Sequence, residues 1–482
     1  MGLPKIEFID TTLRDGQQSL WALNMTTDMM TPIMPELDRT GFAAAEFFVP
    51  NVQLRKMMLD LNEDPWQWLI QGMRHARNTE LRLHGGYRGG LSKIPESISL
   101  LLMQKMIDYG LTTTRTSNPW NDYDIVKEEV AQLKKMGMRS VVNIIYTVSP
   151  RHTDEYYVAR TKAAAATKPY RLCFKDVGGL LTPDRTRNLV PKVLAAAKGI
   201  PVEFHCHCNN GMAPMNLIEA VKAGITIVHT AIPPLANGSS QPSVFNVERN
   251  LRTLGYQHDL DLEPIQHIAQ HFETIAQEHG FACGTPNEFD ETLYLHQVPG
   301  GMISNLKHQL NKVGLIDKLP QTLEEAAQVR KDMGYPIMVT PLSQFVGTQA
   351  AINVIVGERY RQVSDEIIQY ALGVWGQEAL QFMDPNVRDL ILGRKRATEL
   401  AEKFKQADTA SVAEVRKRIG GNLTDEELIL RVYTGMDRSE LKPTSTPAAR
   451  PNDIGSMLKA MAQFPSIQSV SIKTKNQQLL IE

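Results

Sequence analysis

The chain has 482 residues, 42% hydrophobic and 22% charged, and its 52 basic and 53 acidic side chains leave a formal net charge of −1. That length can bury a large core and predicts more than one folding unit, while the balanced charge gives no global reason for nucleic acid or an acidic membrane as partner. Four cysteines, Cys173, Cys206, Cys208 and Cys283, are too few and too unevenly spaced to staple such a chain; with no signal segment or membrane-length apolar run in view, a reducing cytoplasmic location is expected.

From the N-terminus to about Tyr256, short apolar or β-branched runs alternate with amphipathic stretches. In chain order the predicted strands are "KIEFIDTT", "AAAEFFVP", "LRLHGG", "TTTRTSN", "RSVVNIIYTV", "RLCFKDV", "VEFHCHC" and "TIVHTAI". Between them lie helical patterns such as "TPIMPELDRTG", "PESISLLLMQKMIDYG", "IVKEEVAQLKKMG", "TPDRTRNLVPKVLAAAKG" and "APMNLIEAVKAG", often closed by a glycine. Alternating β and α units imply a parallel sheet, and eight of them over about 250 residues predict a (β/α)₈ TIM barrel. From about Leu262 to Tyr433 the pattern is nearly all helical, as in "LEPIQHIAQHFETIAQEHG" and "TDEELILRVYTG", the latter opened by a Thr-Asp-Glu cap. "LKPTSTPAARPND" reads as a linker and "IQSVSIKTKNQQLLIE" as a small terminal hairpin. The expected organisation is a barrel over 1–258, a helical domain over 259–436, and a linker with a small C-terminal segment over 437–482.

The stretch "VEFHCHCNNG" ends the seventh strand, where a barrel carries its catalytic groups. Residues two apart on a strand point the same way, so His205 and His207 can converge on one ion while Cys206 and Cys208 face the other side. A bare His-x-His is equally compatible with two ordinary histidines over buried cysteines. Other strand ends must supply further ligands: the first offers Asp10, Arg14, Asp15 and Gln18, the sixth Lys175 and Asp176. Asp10 and Asp176 also fit a turn residue or an ion pair.

Taken together, "DTTLRDGQQS", Glu46 in "AAAEFF", "LNEDPW", "FKDVGGLLTP", "HCHCNNGMA" and "NGSSQPS" resemble the carboxyltransferase domain of the pyruvate carboxylase, oxaloacetate decarboxylase and transcarboxylase family. The first motif is also similar to the wider group of metal-dependent barrels that includes hydroxymethylglutaryl-CoA lyase. "HQVPGGMISNL", "GYPIMVTPLSQFVGTQAAINVIVGERY" and "TDEELILRVYTG" resemble that family's helical second domain, so the resemblance runs to about Met436. It implies a divalent metal, Zn or Mn with Co as a further option, held by Asp15, a carbamylated Lys175, His205 and His207. It also implies that Arg14 and Gln18 bind an oxo acid beside the metal. Ser239 stands where the family has a threonine that shuttles a proton between biotin and the enol or keto acid.

The departures cluster on strands two to four. Where the family has an aspartate in a Trp-Gly-Gly-Ala-Thr-Phe-Asp run, this chain reads "FFVPNVQLR" and places Leu54 or Arg55. A family arginine near biotin falls on Gly86 or, with a two-residue shift, on Arg88; neither alignment recovers the family's tyrosine. A Phe-Arg-Val-Phe-Asp run becomes "TRTSN", keeping Arg115 and replacing the aspartate by Asn118. Arg88 and Arg115 are therefore expected to bind substrate with Arg14 and Gln18, and the region of Arg55, His84, Arg88 and Asn118 to face the distinguishing part of an acceptor other than pyruvate.

No "AMKM" biotin-attachment sequence or phosphate-binding loop is present, so biotin is expected on a separate carrier protein. The leading expectation is a biotin-dependent carboxyltransferase subunit working through a metal-stabilised enolate. Its expected partners are a biotin carrier protein, a biotin carboxylase or other complex subunit, a small carbonyl acid, and a second copy of the chain in a homodimer. The alternative is a biotin-independent metal-dependent decarboxylase or C–C lyase; a scaffold without catalysis is disfavoured by the four ligand types.

Overall fold

The computed structural model describes residues 2–88, 94–312, 314–404, 409–441, 470–473 and 478–481. All eight predicted strands form: β1 Glu7–Asp10, β2 Ala44–Phe48, β3 Glu80–His84, β4 Thr113–Thr116, β5 Arg139–Ile145, β6 Arg171–Asp176, β7 Val202–Cys206 and β8 Ile227–Thr230. They are parallel neighbours in sequence order, and β8 closes the barrel against β1 from Glu7 opposite Ile227 to Asp10 opposite Thr230.

Strand alternation sorts side chains to the two sides of this wall. Outward positions such as Phe47, Phe174 and Phe204 are buried under the surrounding helices, with Phe47 against Trp68 and Phe174 against Tyr157. Inward positions are unusually polar: Glu46, Arg82, Arg115, Asn143, Lys175, Glu203, His205 and His229 are all buried. A barrel interior is ordinarily layered with branched aliphatics. Here the buried charges are tolerated because they are paired across the barrel, Arg82 with Glu203 at 2.8 Å and Arg115 with Glu46 through Nη2 at 2.9 Å.

The helix Leu262–His279 begins with Asp261 accepting the Glu263 amide and ends at Gly280 with φ +66°. The helix Asp425–Thr434 opens with the expected cap, Thr424 and Glu427 bonding reciprocally, and ends at Gly435 with φ +76°. Between them, helices pack around Val298, Val329, Met333, Phe345, Val346 and Ile368. Trp120, from the loop after β4, enters this core and meets Tyr370 at 5.3 Å between ring centres. Thr147, after β5, bonds Gln297 and Arg330 at 2.8 and 3.1 Å. The helical region is thereby fastened to loops at the C-terminal end of the strands, and barrel and helices together make one compact unit, Met1–Asp437.

The second unit, Arg438–Glu482, contains the expected hairpin: β9 Val470–Lys473 pairs antiparallel with β10 Gln478–Ile481. The predicted linker lies outside the described residues from position 442 onward. Among the described residues no helix is long and apolar enough to cross a membrane.

Candidate active site

After β1 the chain coils through Thr12–Gly16 in a π-helical turn, with the Thr11 carbonyl accepting the Asp15 and Gly16 amides at 2.8 and 2.9 Å. The turn carries Arg14 and Asp15 to the barrel mouth. Its last position requires glycine, because a Cβ at Gly16 would stand 2.8 Å from the Leu235 carbonyl oxygen. On the opposite wall Lys175 of β6 is the register partner of His205 of β7, and His207 is the next position on the same side.

Asp15 Oδ2 lies 3.2 Å from His205 Nε2 and 3.6 Å from His207 Nε2. These residues each offer a ligand atom within 4.8 Å of the others. Both rings are held from behind, His207 Nδ1 by the Ser239 carbonyl at 2.7 Å and His205 Nδ1 by His229 Nδ1 at 3.0 Å, leaving each Nε2 for the shared space. Burial would raise the Asp15 carboxyl, but Arg14 and the two histidines hold it well below the usual carboxylate range. Lys175 is buried too; burial first, then the Arg115 guanidinium, push its amine down to about 7 against the opposing pull of Asp15. An amine titrating there is neutral in good part near pH 7, and the neutral amine is the form that condenses with carbon dioxide to a carbamate. An ionised carboxylate, two imidazoles with Nε2 turned inward and this amine make a donor set that fits Zn²⁺ or Mn²⁺.

Glu46 anchors the adjacent wall. It accepts Arg14 Nε at 2.9 Å, a further short bond from Arg14 Nη2, and Arg115 through both Nε and Nη2. Arg14 Nη2 also donates to Asp15 Oδ2 at 2.7 Å, so Glu46 sets the arginine that steadies a ligand carboxylate. Gln18 Oε1 and His84 Nδ1 are buried without a hydrogen-bond partner among the described residues. His84 is held well below its ordinary range by burial and by the positive charges of Arg14, Arg115 and Lys175, and is neutral.

Several expected site residues are elsewhere. Arg115 is not free for substrate, since it is 1% exposed and its guanidinium is spent on Glu46 and, at 3.1 Å, on Asn143 Oδ1. Arg88 turns to the outside of the barrel, pairing with Glu128 at 2.6 Å and Glu96 at 3.6 Å. Arg55 donates to the Tyr433 carbonyl, and Leu54 is fully buried. Asn118 Oδ1 accepts the Trp120 and Asp122 amides and shapes a turn. Asp10 points outward and receives Thr12 Oγ1 at 2.5 Å; burial raises its carboxyl to about 7. Asp176, also outward, accepts the Leu180 and Leu181 amides at 3.0 and 2.8 Å and the Cys206 thiol at 3.4 Å. The turn reading of both aspartates is the one realised. Cys206, whose thiol reaches Asp176, lies on the side away from the ligand atoms, as alternation requires, and Cys208, just past the end of the strand, is buried.

Three residues not singled out in the sequence join the site. Gln241 places its amide nitrogen 3.3 Å from His205 Nε2 and 3.0 Å from His207 Nε2, while its Oε1 accepts Thr11 Oγ1 at 2.7 Å. Behind His205, His229 Nε2 meets Glu203 Oε2 at 2.9 Å. The same alternation that turns His205 inward turns Glu203 inward, which was a readable signal; the partnership with β8 was not. Ser239 rests its hydroxyl on the Ser19 carbonyl at 2.9 Å, next to the ligand it supports through its own carbonyl.

Residues 114–272 match the family model described as HMGL-like, and residues 293–437 the one described as Conserved carboxylase domain. The chain is 32% identical over 469 residues to a pyruvate carboxylase subunit of Methanocaldococcus jannaschii, covering 95% of this chain and 82% of that protein. It is 31% identical to the 2-oxoglutarate carboxylase large subunit of Hydrogenobacter thermophilus, over 88% of this chain and 66% of that one. In fold it is similar to the carboxyl transferase domain of Rhizobium etli pyruvate carboxylase, with a TM-score of 0.80 at 23% identity over 91% of this chain and 77% of that one.

Proposed function

We propose, from the premise that this chain belongs to the carboxyltransferase family of the pyruvate carboxylases, that it moves a carboxyl group between biotin borne on a separate carrier and a small 2-oxo acid. The observation that carries this reading is the convergence of Asp15, His205 and His207, with Lys175 in register beside them, at the mouth of the barrel. These four residues, with Lys175 as its carbamate, would hold a divalent metal, which would supply positive charge to polarise the oxo group of the acid.

The chain's own residues do the rest. Glu46 clamps Arg14, and Arg14 in turn holds Asp15 as an anion aimed at the two imidazoles. Gln18, whose Oε1 has no partner among the described residues, and the neutral ring of His84 are polar groups placed to orient the acid. Ser239, whose hydroxyl sits beside the His207 support, takes the proton-shuttle role.

For the acceptor, the loss of the family's aspartate, whose position falls here on Leu54 or Arg55, supports an acid other than pyruvate, whereas Arg88 and Asn118 no longer bear on the choice. Relatives of similar identity are named for pyruvate and for 2-oxoglutarate. The test is carboxyl transfer from a carboxylated biotin carrier to each of these two acids. Faster transfer to pyruvate would reverse the acceptor assignment, and turnover of the carboxylated product with no biotin present would favour the decarboxylase or lyase reading. A biotinylated polypeptide should co-purify with the chain. We assign a homodimer, with the segment from Pro451 onward dispensable for it and used to recruit another subunit; size-exclusion chromatography of a chain ending at Leu441 checks this.

A further inference from the structure

His205 does not end the inward hydrogen-bond chain. Its Nδ1 lies 3.0 Å from His229 Nδ1, and His229 Nε2 lies 2.9 Å from Glu203 Oε2. The other Glu203 oxygen, Oε1, receives Arg82 Nη1 at 2.8 Å and stands 3.5 Å from Arg171 Nη1. His205, His229 and Glu203 are fully buried, so no solvent competes for these contacts. The run passes from β7 to β8 and back to β7, and ends on the arginines of β3 and β6.

The direction of every proton in this run is fixed by its far end. Arg82 has only hydrogens to give, and Glu203 beside it is a carboxylate that only accepts. A neutral His229 therefore carries its one proton on Nε2, which leaves a lone pair on Nδ1. Two imidazole nitrogens 3.0 Å apart share one proton, since two lone pairs repel and two N–H groups collide, so His205 carries its proton on Nδ1. Its Nε2 then presents a lone pair to Asp15 and the ligand space. Gln241 is oriented compatibly with this state: with its Oε1 toward the Thr11 hydroxyl, its NH₂ faces the two histidines and donates to lone pairs on Nε2 of His205 and His207.

We propose that Glu203 and His229 are positioning residues that lock His205 in the one tautomer able to bind a metal. The inference rests on the metal-site reading above and adds to it a specific dependence on charge polarity two residues away from the ligand space.

Glu203→Gln tests it without changing volume. In that variant Arg82, a pure donor, claims the amide oxygen, so the NH₂ faces His229. The relay then reverses: His229 accepts at Nε2, donates from Nδ1, and leaves the His205 proton on Nε2, where it blocks coordination. Chelator competition on the full chain should show metal affinity about 10–100-fold weaker than in the unmodified protein, the range ordinary for lost support behind a metal-bound histidine. The metal-free protein should keep its circular dichroism, and the visible spectrum of the cobalt-substituted protein should change. His229→Asn restores an acceptor beside His205 Nδ1 and should bind metal more tightly than His229→Leu, a comparison that holds even where Glu203→Gln folds poorly. Equal chelator midpoints for the unmodified protein and a folded Glu203→Gln, or for His229→Asn and His229→Leu, would overturn the relay alone. An unmodified protein that takes up no divalent metal would overturn the metal-site reading and the relay with it.

Discussion

Lys175 and His205 stand opposite one another in the β6–β7 register, so an amine and an imidazole leave adjacent strands on the same side of the barrel wall. With Asp15 Oδ2 3.2 Å from His205 Nε2, the protein should contain about one divalent ion per chain. Lys175→Ala should lose metal or turnover, with added bicarbonate unable to restore either. Elemental analysis and assay of that variant decide the matter; full metal and full activity would remove Lys175 from the site.

Burial lowers the Lys175 amine to about 7 from the value of about 10.4 expected in the unfolded chain. Between those values the unfolded chain binds the proton and the folded chain does not, so this group's contribution to stability rises with pH from about 7 to about 10. Below pH 7 both states are protonated and the contribution is gone. Reactivation of metal-stripped protein by bicarbonate plus metal should follow the same sign, slow below pH 7 and faster above it. A rate that is flat across pH 6–8 would contradict a neutral-amine requirement.

Cys206 donates to Asp176 on the outer side of the wall. Cys206→Ser and Cys208→Ser should therefore keep the metal, at a stability cost of about 1–3 kcal/mol where the new hydroxyl finds no partner. Loss of metal from either variant, measured on folded protein, would contradict the alternation.

Glu46 is shared by two buried arginines, and removing it leaves both without their main anion. Glu46→Ala should cost about 3–5 kcal/mol in urea unfolding, in line with a broken buried pair. It should also free Arg14 from its clamp and weaken metal retention through Asp15.

Arg88 is engaged with Glu128 and Glu96 at a partly exposed position. Arg88→Ala should change stability by no more than about 1 kcal/mol and leave the KM for the oxo acid unaltered. Arg14→Ala, in contrast, should lower turnover and metal content together. A selective rise in KM in Arg88→Ala would return that arginine to the substrate.

The strands were legible because each is a local run whose period and length belong to a single element: all eight segments from "KIEFIDTT" to "TIVHTAI" formed, and the cap at Thr424 opened its helix where the sequence placed it. Alternation also separated His205 from Cys206, since the side a side chain takes on a strand is set by its immediate neighbours. What a long side chain reaches is not local. Arg88, Arg115 and Asn118 occupy sequence positions that suggested substrate, but an arginine spans several ångströms and settles on the strongest acceptor the fold brings near it, Glu128 for one and Glu46 for the other. Asn118 found its donors in its own turn. Local pattern was enough to specify a barrel with ligand-type residues at strands one, six and seven. Tertiary closure settled which charges neutralise one another inside it, because the pairing of β7 with β8 and the crossing of β2 with β4 side chains exist only once the barrel is shut.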